Sequence, residues 1–203
     1  LISVFMSQPY FIHLNTPYQN LDDLKGKKIR VAGYLQAEII RRLGGTPIGG
    51  IAATQIRESI SRGLIDGTLL GWDSMHIFGV KHVTRYHIEI PVTYTPILLL
   101  MNLASYSNLD LKYQALIDQS SGEEMVRHFS TATTALALKT YKEAKDKADQ
   151  IFITPNKQEL ARWHNALSII EQSWVTQNPR GEWRVEGLDR ILDGVRQELQ
   201  EGN

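Results

Sequence analysis

Apolar and polar positions over roughly the first half of the chain follow two rhythms, short alternating runs and longer helical stretches, separated by glycine or proline. That pattern belongs to a layered β/α fold. Lys27-Lys28-Ile29-Arg30-Val31-Ala32-Gly33 reads as a strand that sends Ile29 and Val31 to one face and Lys28 and Arg30 to the other. A helix is predicted over Leu35–Leu43, with Arg41 and Arg42 in its last turn and Gly44-Gly45 as its stop. Thr46-Pro47-Ile48 begins the next extended piece, and a second helix spans Thr54 to Arg62. Leu64 to Trp72 is then a turn feeding an apolar strand. Tyr86–Ile90 and Ile97–Met101 suit buried strands, with Pro91 and Pro96 bracketing their connection.

From Leu109 onward the period is helical nearly to the end. Ser121-Gly122-Glu123-Glu124 has the spacing of a capping box and opens a helix predicted to reach Ala148, with Met125, Phe129, Leu136 and Tyr141 among its apolar positions. A helix of that length can connect two lobes. Asn156 and Glu159 form a second capping pair ahead of Leu160, Trp163, Leu167, Ile170 and Trp174, which share one helical face. After a loop at Gln177–Gly181, a last helix carries Leu188, Ile191, Leu192, Val195 and Leu199.

Composition narrows the function classes. With 42% hydrophobic and 22% charged residues the chain has the make-up of a packed globular protein. Its 22 basic and 22 acidic residues cancel, so no net field draws a nucleic acid or an anionic membrane, and anion specificity must come from a local site. The absence of cysteine excludes disulfides, thiolate metal sites and cysteine nucleophiles. No apolar run reaches the roughly eighteen residues of a membrane-spanning helix. Leu1–Met6 lacks the basic and small-residue regions of a signal peptide and reads as the middle of a strand, so chain upstream of Leu1 is expected to be missing.

His13, His76, His82, His87, His128 and His164 show no metal-ligand spacing, and each is expected at the surface or in a hydrogen bond. Gly44–Gly50 fits neither a dinucleotide fingerprint nor a phosphate loop, and reads as a helix stop and a loop. Asp22, Asp23 and Asp66 read as turn formers rather than paired catalytic acids. No metal, cofactor or catalytic residue is expected.

Leu21-Asp22-Asp23-Leu24-Lys25-Gly26-Lys27-Lys28-Ile29-Arg30-Val31-Ala32-Gly33 resembles the segment "DLKG-K-IR-V-G" of the DctP family, the extracytoplasmic solute-binding proteins of TRAP transporters. Leu43–Pro47, Ile60–Gly67, Leu98–Asn102 and Ala161-Arg162-Trp163 follow at similar distances, so the resemblance covers almost the whole chain. It implies a two-lobed α/β fold of the periplasmic-binding-protein type, type II-like, with a long linking helix and an incomplete first lobe. Residues 8–95 and 150–175 would form the second lobe; residues 1–7, 96–149 and 176–203 would form the remainder of the first lobe, the linking helix and the C-terminal helices.

The resemblance also implies reversible capture of a small organic acid in the periplasm and its delivery to TRAP membrane subunits, without catalysis. Arg30 takes the place of the arginine that pairs with the ligand carboxylate, a role suited to the parallel donors of a guanidinium. Leu70, Gly71 and Trp72 on one strand and Tyr94 and Thr95 on another would line the cleft, Trp72 by stacking and Tyr94 through its hydroxyl. Leu70 stands where sialic-acid binders carry asparagine, which sets this chain apart from sugar-acid binders. From the residues alone, Arg30 reads first as a solvated strand arginine beside Lys25, Lys27 and Lys28, a preference that the resemblance reverses, and Trp72 reads equally as a packing residue at a helix start. An α/β enzyme acting on a small carboxylate, or a truncated remnant that binds nothing, are the alternative functions. Apolar surface left uncovered by an incomplete lobe leads to the expectation of a homodimer.

Overall fold

The computed structural model describes residues 1–177, with side chains through residue 170. Trp174 and the helix expected around Leu188–Leu199 lie outside these limits. The described chain runs β1 Ser3–Met6, β2 Phe11–Leu14, β3 Lys28–Arg30, α1 Tyr34–Arg42, β4 Thr46–Ile48, α2 Ile56–Ser61, β5 Gly67–Leu70, α3 Trp72–Ile77, β6 Tyr86–Ile88 and β7 Pro96–Leu99. Helices α4 Leu103–Ser107, α5 Leu111–Ser120 and α6 Glu123–Lys145 follow, then β8 Ile151–Ile153 and α7 Lys157–Gln177.

Six strands form one sheet in the order β4-β3-β5-β2-β6-β8. β3 pairs in parallel with β4 and β5, β6 pairs in parallel with β8, and β2 opposes both β5 and β6. Five strands therefore end at one edge of the sheet, where β2 begins. β1 and β7 make a separate antiparallel pair, Ser3 opposite Leu99 and Met6 opposite Pro96.

Alternation along the strands gives the sheet two buried faces. Ile12, Leu14, Ile29, Val31, Leu69 and Ile88 pack under α1 and under Trp163 of α7. Phe11 and Leu70 turn to the other face, against Ile56 and Ile60 of α2, Trp72 and Met75 of α3, and Ala137 and Ala144 of α6. Helices on both faces are what a mostly parallel sheet requires, because each face must be removed from water. Helix α1 stops where expected: Leu43 caps it and Gly44 follows at φ +87°, a conformation that costs glycine little.

Several expectations need correction. β7 is a strand, but Ile97, Leu98 and Leu99 are all exposed, because a two-stranded sheet has too little partner surface to cover both of its faces. The capping box at Ser121 does not form: Gly122, at φ 64°, is the N-cap without a side-chain cap bond, and the Ser121 hydroxyl donates to the Ile117 carbonyl of α5 instead. Helix α6 ends at Lys145, and β8 interrupts the helical half at Ile151–Ile153, a strand too short to outweigh its helical neighbours in the sequence pattern. Asn156 does cap α7, its side-chain oxygen accepting from the Glu159 amide at 2.9 Å. Glu159 itself turns away from that box to accept from the Leu21 amide and pair with Arg162.

Candidate ligand site at the C-terminal sheet edge

Arg30 ends β3, at the edge where the parallel strands finish. Ligands in open α/β sheets bind outside this edge because the loops there diverge and leave a crevice. Register aligns one row across all six strands, Ile48-Arg30-Thr68-His13-His87-Phe152. Arg30 shares its face with the α2 side of the sheet, as the alternation of Ile29 and Val31 requires.

The arginine is buried, at 8% exposure, which corrects the reading of it as a solvated strand residue. Its Nε donates to the Ile51 carbonyl at 3.0 Å, and among the described residues it pairs with no carboxylate. Burial pushes its pKa down and the nearby Tyr10 phenol pushes it up, yet a guanidinium stays protonated throughout the physiological range. A positive charge withdrawn from water without a counter-ion is costly, so the site favours an anion.

Gln36 connects this strand end to the chain that follows β6. It accepts from the Ala32 amide at 2.7 Å, and its amide lies 3.5 Å from the Thr95 hydroxyl. Ser7 and Thr95 are tied by two bonds of 2.9 Å, and Tyr10 bridges Thr93. Thr95 is thereby held beside the loop that leaves Arg30. Tyr94, its neighbour, is 52% exposed. Gln36, Tyr10 and Ile51 were not anticipated from the sequence. Gln36 carried a signal, since it holds the first place of the stripe Gln36, Ile39, Ile40, Leu43, and a polar side chain at a core position of an amphipathic helix needs a polar partner.

Leu70, Gly71 and Trp72 reach the same edge on β5 and the start of α3, but as core. Leu70 is buried, and Trp72 is packed against His13, His87, Tyr141 and Phe152 with ring centroids 4.8 to 5.7 Å apart. The reading of Trp72 as a packing residue at a helix start therefore fits its surroundings. Gly71 permits close approach: a Cβ there would lie 2.6 Å from Asp73 Oδ1 and 3.2 Å from Gln8 Cβ. Asp22, Asp23 and Asp66 serve turns and ends as expected, Asp23 accepting from the Gln19 and Asn20 amides, Asp66 from the Lys28 amide and Asp22 pairing with Arg162.

Residues 10–177 match the bacterial extracellular solute-binding proteins, family 7, known as DctP. The chain belongs to that family. As a family 7 solute-binding protein it shares its fold with TRAP solute-binding proteins of known structure. A marine-metagenome protein from an unidentified microbe, specific for aromatic acids and solved with 3-hydroxybenzoate, is 27% identical with a TM-score of 0.76, over 88% of this chain and 57% of that one. The benzoate-bound protein of Rhodoferax ferrireducens is 22% identical with a TM-score of 0.78, over 89% of this chain and 57% of that one. An uncharacterized protein of Salmonella typhimurium, YiiZ, is 28% identical over 109 residues, 53% of this chain and 33% of that protein. The chain thus spans a little over half the length of these solved relatives. Family members and structural neighbours are binding proteins with the two-lobed α/β architecture.

Proposed function

We propose that this chain captures a small organic carboxylate at the sheet edge, with Arg30 as the group that pairs to it. One observation carries the reading: a buried guanidinium with no acidic partner, at the edge where an open α/β sheet takes its ligand. A bound carboxylate would supply the missing counter-ion and accept two parallel N–H donors. Thr95 and Tyr94 flank it from the β6–β7 connection, and Leu70 gives an apolar wall that suits an aromatic or aliphatic acid better than a polyhydroxylated one. Trp72 and Gly71 shape that wall from behind. The aromatic-acid ligand of the 27%-identical relative supports the same ligand class.

On this reading the protein works in the periplasm by reversible closure of its lobes on the ligand, without covalent chemistry, and hands the acid to TRAP membrane subunits. The proposed lobes are residues 8–95 with 150–175, and residues 1–7 with 96–149; residues 178–203 lie outside the described part of the chain. Association of two copies belongs to the same proposal, supported by the apolar β1–β7 face.

Calorimetric titration with benzoate, 3-hydroxybenzoate, mandelate and malate tests the carboxylate clamp. Binding of at least one acid is expected, weakened by about thirtyfold or more in Arg30→Ala and only partly restored in Arg30→Lys, because an ammonium lacks the planar fork. Equal affinity in wild type and Arg30→Ala would remove Arg30 from the site.

A further inference from the structure

Three crossings join the β1–β7 pair to the six-stranded sheet. They are residues 7–10 between β1 and β2, residues 89–95 between β6 and β7, and α6. Helix α6 packs Phe129 on Phe5 of β1 and, further along, Ala137 and Ala144 on the core beside α3. A cavity of about 290 Å³ lies where the three crossings meet. Gln8 and Glu89 line it from the two strand crossings, Leu138 and Tyr141 from α6, and Phe11 and Trp72 form its floor. Arg30, Leu70 and Thr95 take no part in it, and of the residues assigned to the acid site Trp72 alone borders both.

We infer that this cavity is a second ligand site, for a single-ring aromatic molecule that carries a hydrogen-bond donor. Its size, at the lower end for ligand pockets, admits one ring, and its walls are aromatic. The charged polar group inside it is an acceptor, the Glu89 carboxylate. His87 reaches the wall with both ring nitrogens engaged, at 2.8 Å from His13 Nδ1 and 2.7 Å from Gln150 Oε1. Gln8 spends its amide N–H groups on Thr134 and Thr133, which closes the end of the cavity between the first crossing and α6. Glu89 accepts from Tyr141 at 2.7 Å and Lys145 at 2.8 Å through one oxygen and from Thr154 through the other. A carboxylate has about four acceptor positions, so one on the second oxygen is left for a ligand. A ligand carboxylate has no proton to give that oxygen. A phenolic hydroxyl satisfies these demands, which the carboxylate of an Arg30 ligand does not.

Phenol is the probe, titrated into ¹⁵N-labelled protein and followed by NMR. Saturable shifts are expected at the Gln8, Glu89 and Tyr141 amides and the Trp72 indole, with a Kd of about 1 mM or lower. Anisole, which has the ring without the donor, is expected to bind at least about fivefold more weakly. Leu138 is 65% exposed, so Leu138→Trp can fill the mouth without disturbing the core, and it should abolish phenol binding while leaving the acid titration unchanged. Arg30→Ala should leave phenol binding intact even if no acid binds to either protein. Absence of saturable shifts at 10 mM phenol (about ten times that Kd), equal binding of anisole, persistence in Leu138→Trp, or loss in Arg30→Ala would each overturn the assignment.

Discussion

His13 and His87 face each other across β2 and β6 with their Nδ1 atoms 2.8 Å apart, both almost fully buried beneath Trp72. His13 Nε2 lies 3.2 Å from the Leu70 carbonyl, and His87 Nε2 lies 2.7 Å from Gln150. Bonds to two oxygens and one shared between the rings require three ring protons, one more than two neutral imidazoles carry. Burial, the first cause at both residues, opposes that charge; His13 is held well below its usual value, further lowered by His87, and His87 is brought to about 4 although Gln150 and Glu89 pull it up. The neutral pair is therefore the folded form, so one of the three contacts lacks a proton.

The unfolded chain binds protons more readily than the folded one at these positions, so stability is full above pH 6.5 and falls as the pH drops towards about 4. Urea midpoints at pH 7 and pH 5 should differ accordingly, and the difference should shrink in His87→Asn. A midpoint independent of pH across that window would mean that the pair takes up protons in the fold as readily as in the unfolded chain. Neither histidine could be singled out from the sequence, because their meeting depends on the pairing of β2 with β6, a register that no local pattern contains. Arg30 was legible as a residue, but its burial depends on the Ile51 loop, which the sequence shows only as a string of small residues.

At the scale of elements, the packing of α7 rests on one side chain more than on its charges. Trp163 is buried in the core that includes Leu24 and Ile29, whereas the Arg162–Asp22 pair is solvated. Trp163→Ala should cost about 3–5 kcal/mol and Arg162→Ala less than about 1 kcal/mol in urea denaturation. Comparable losses would show that the ion pair, and not the indole, holds the helix. Between β5 and β2 the constraint is steric: a Cβ at Gly67 would lie 2.3 Å from the His13 carbonyl oxygen, a backbone atom fixed in the ladder. Gly67→Ala should lower stability by about 2–3 kcal/mol, and an unchanged urea midpoint would show that the two strands can separate there. The period of α1 and α7 was readable because each buries one face, and that of β3 because charged and apolar side chains alternate along it. β8 was not, since three residues set no period, and the Ser121 box failed because a left-handed Gly122 took the cap position.

Across the whole molecule, apolar surface is unevenly distributed. Phe5 turns inward from β1 onto Phe129, while Val4 and Met6 turn outward beside Leu98, all three 45–55% exposed. Leu100 and Leu103 extend the patch at 66% and 77% exposure. Among the described residues neither edge of the two-stranded sheet pairs with another strand, so a second copy can cover the patch through side chains and extend the ladder through the backbone. A stable dimer needs about 800 Å² from each partner, and the exposed Leu100 and Leu103 beyond β7 extend the surface available for it. Light scattering after size exclusion should then give a dimer at micromolar concentration. Met6→Lys with Leu98→Lys should yield the monomer with unchanged circular dichroism, because both side chains lie outside the core. A dimer that survives both lysines must use another surface, and a wild-type monomer at every concentration would show that an exposed ribbon of this size is tolerated without a partner.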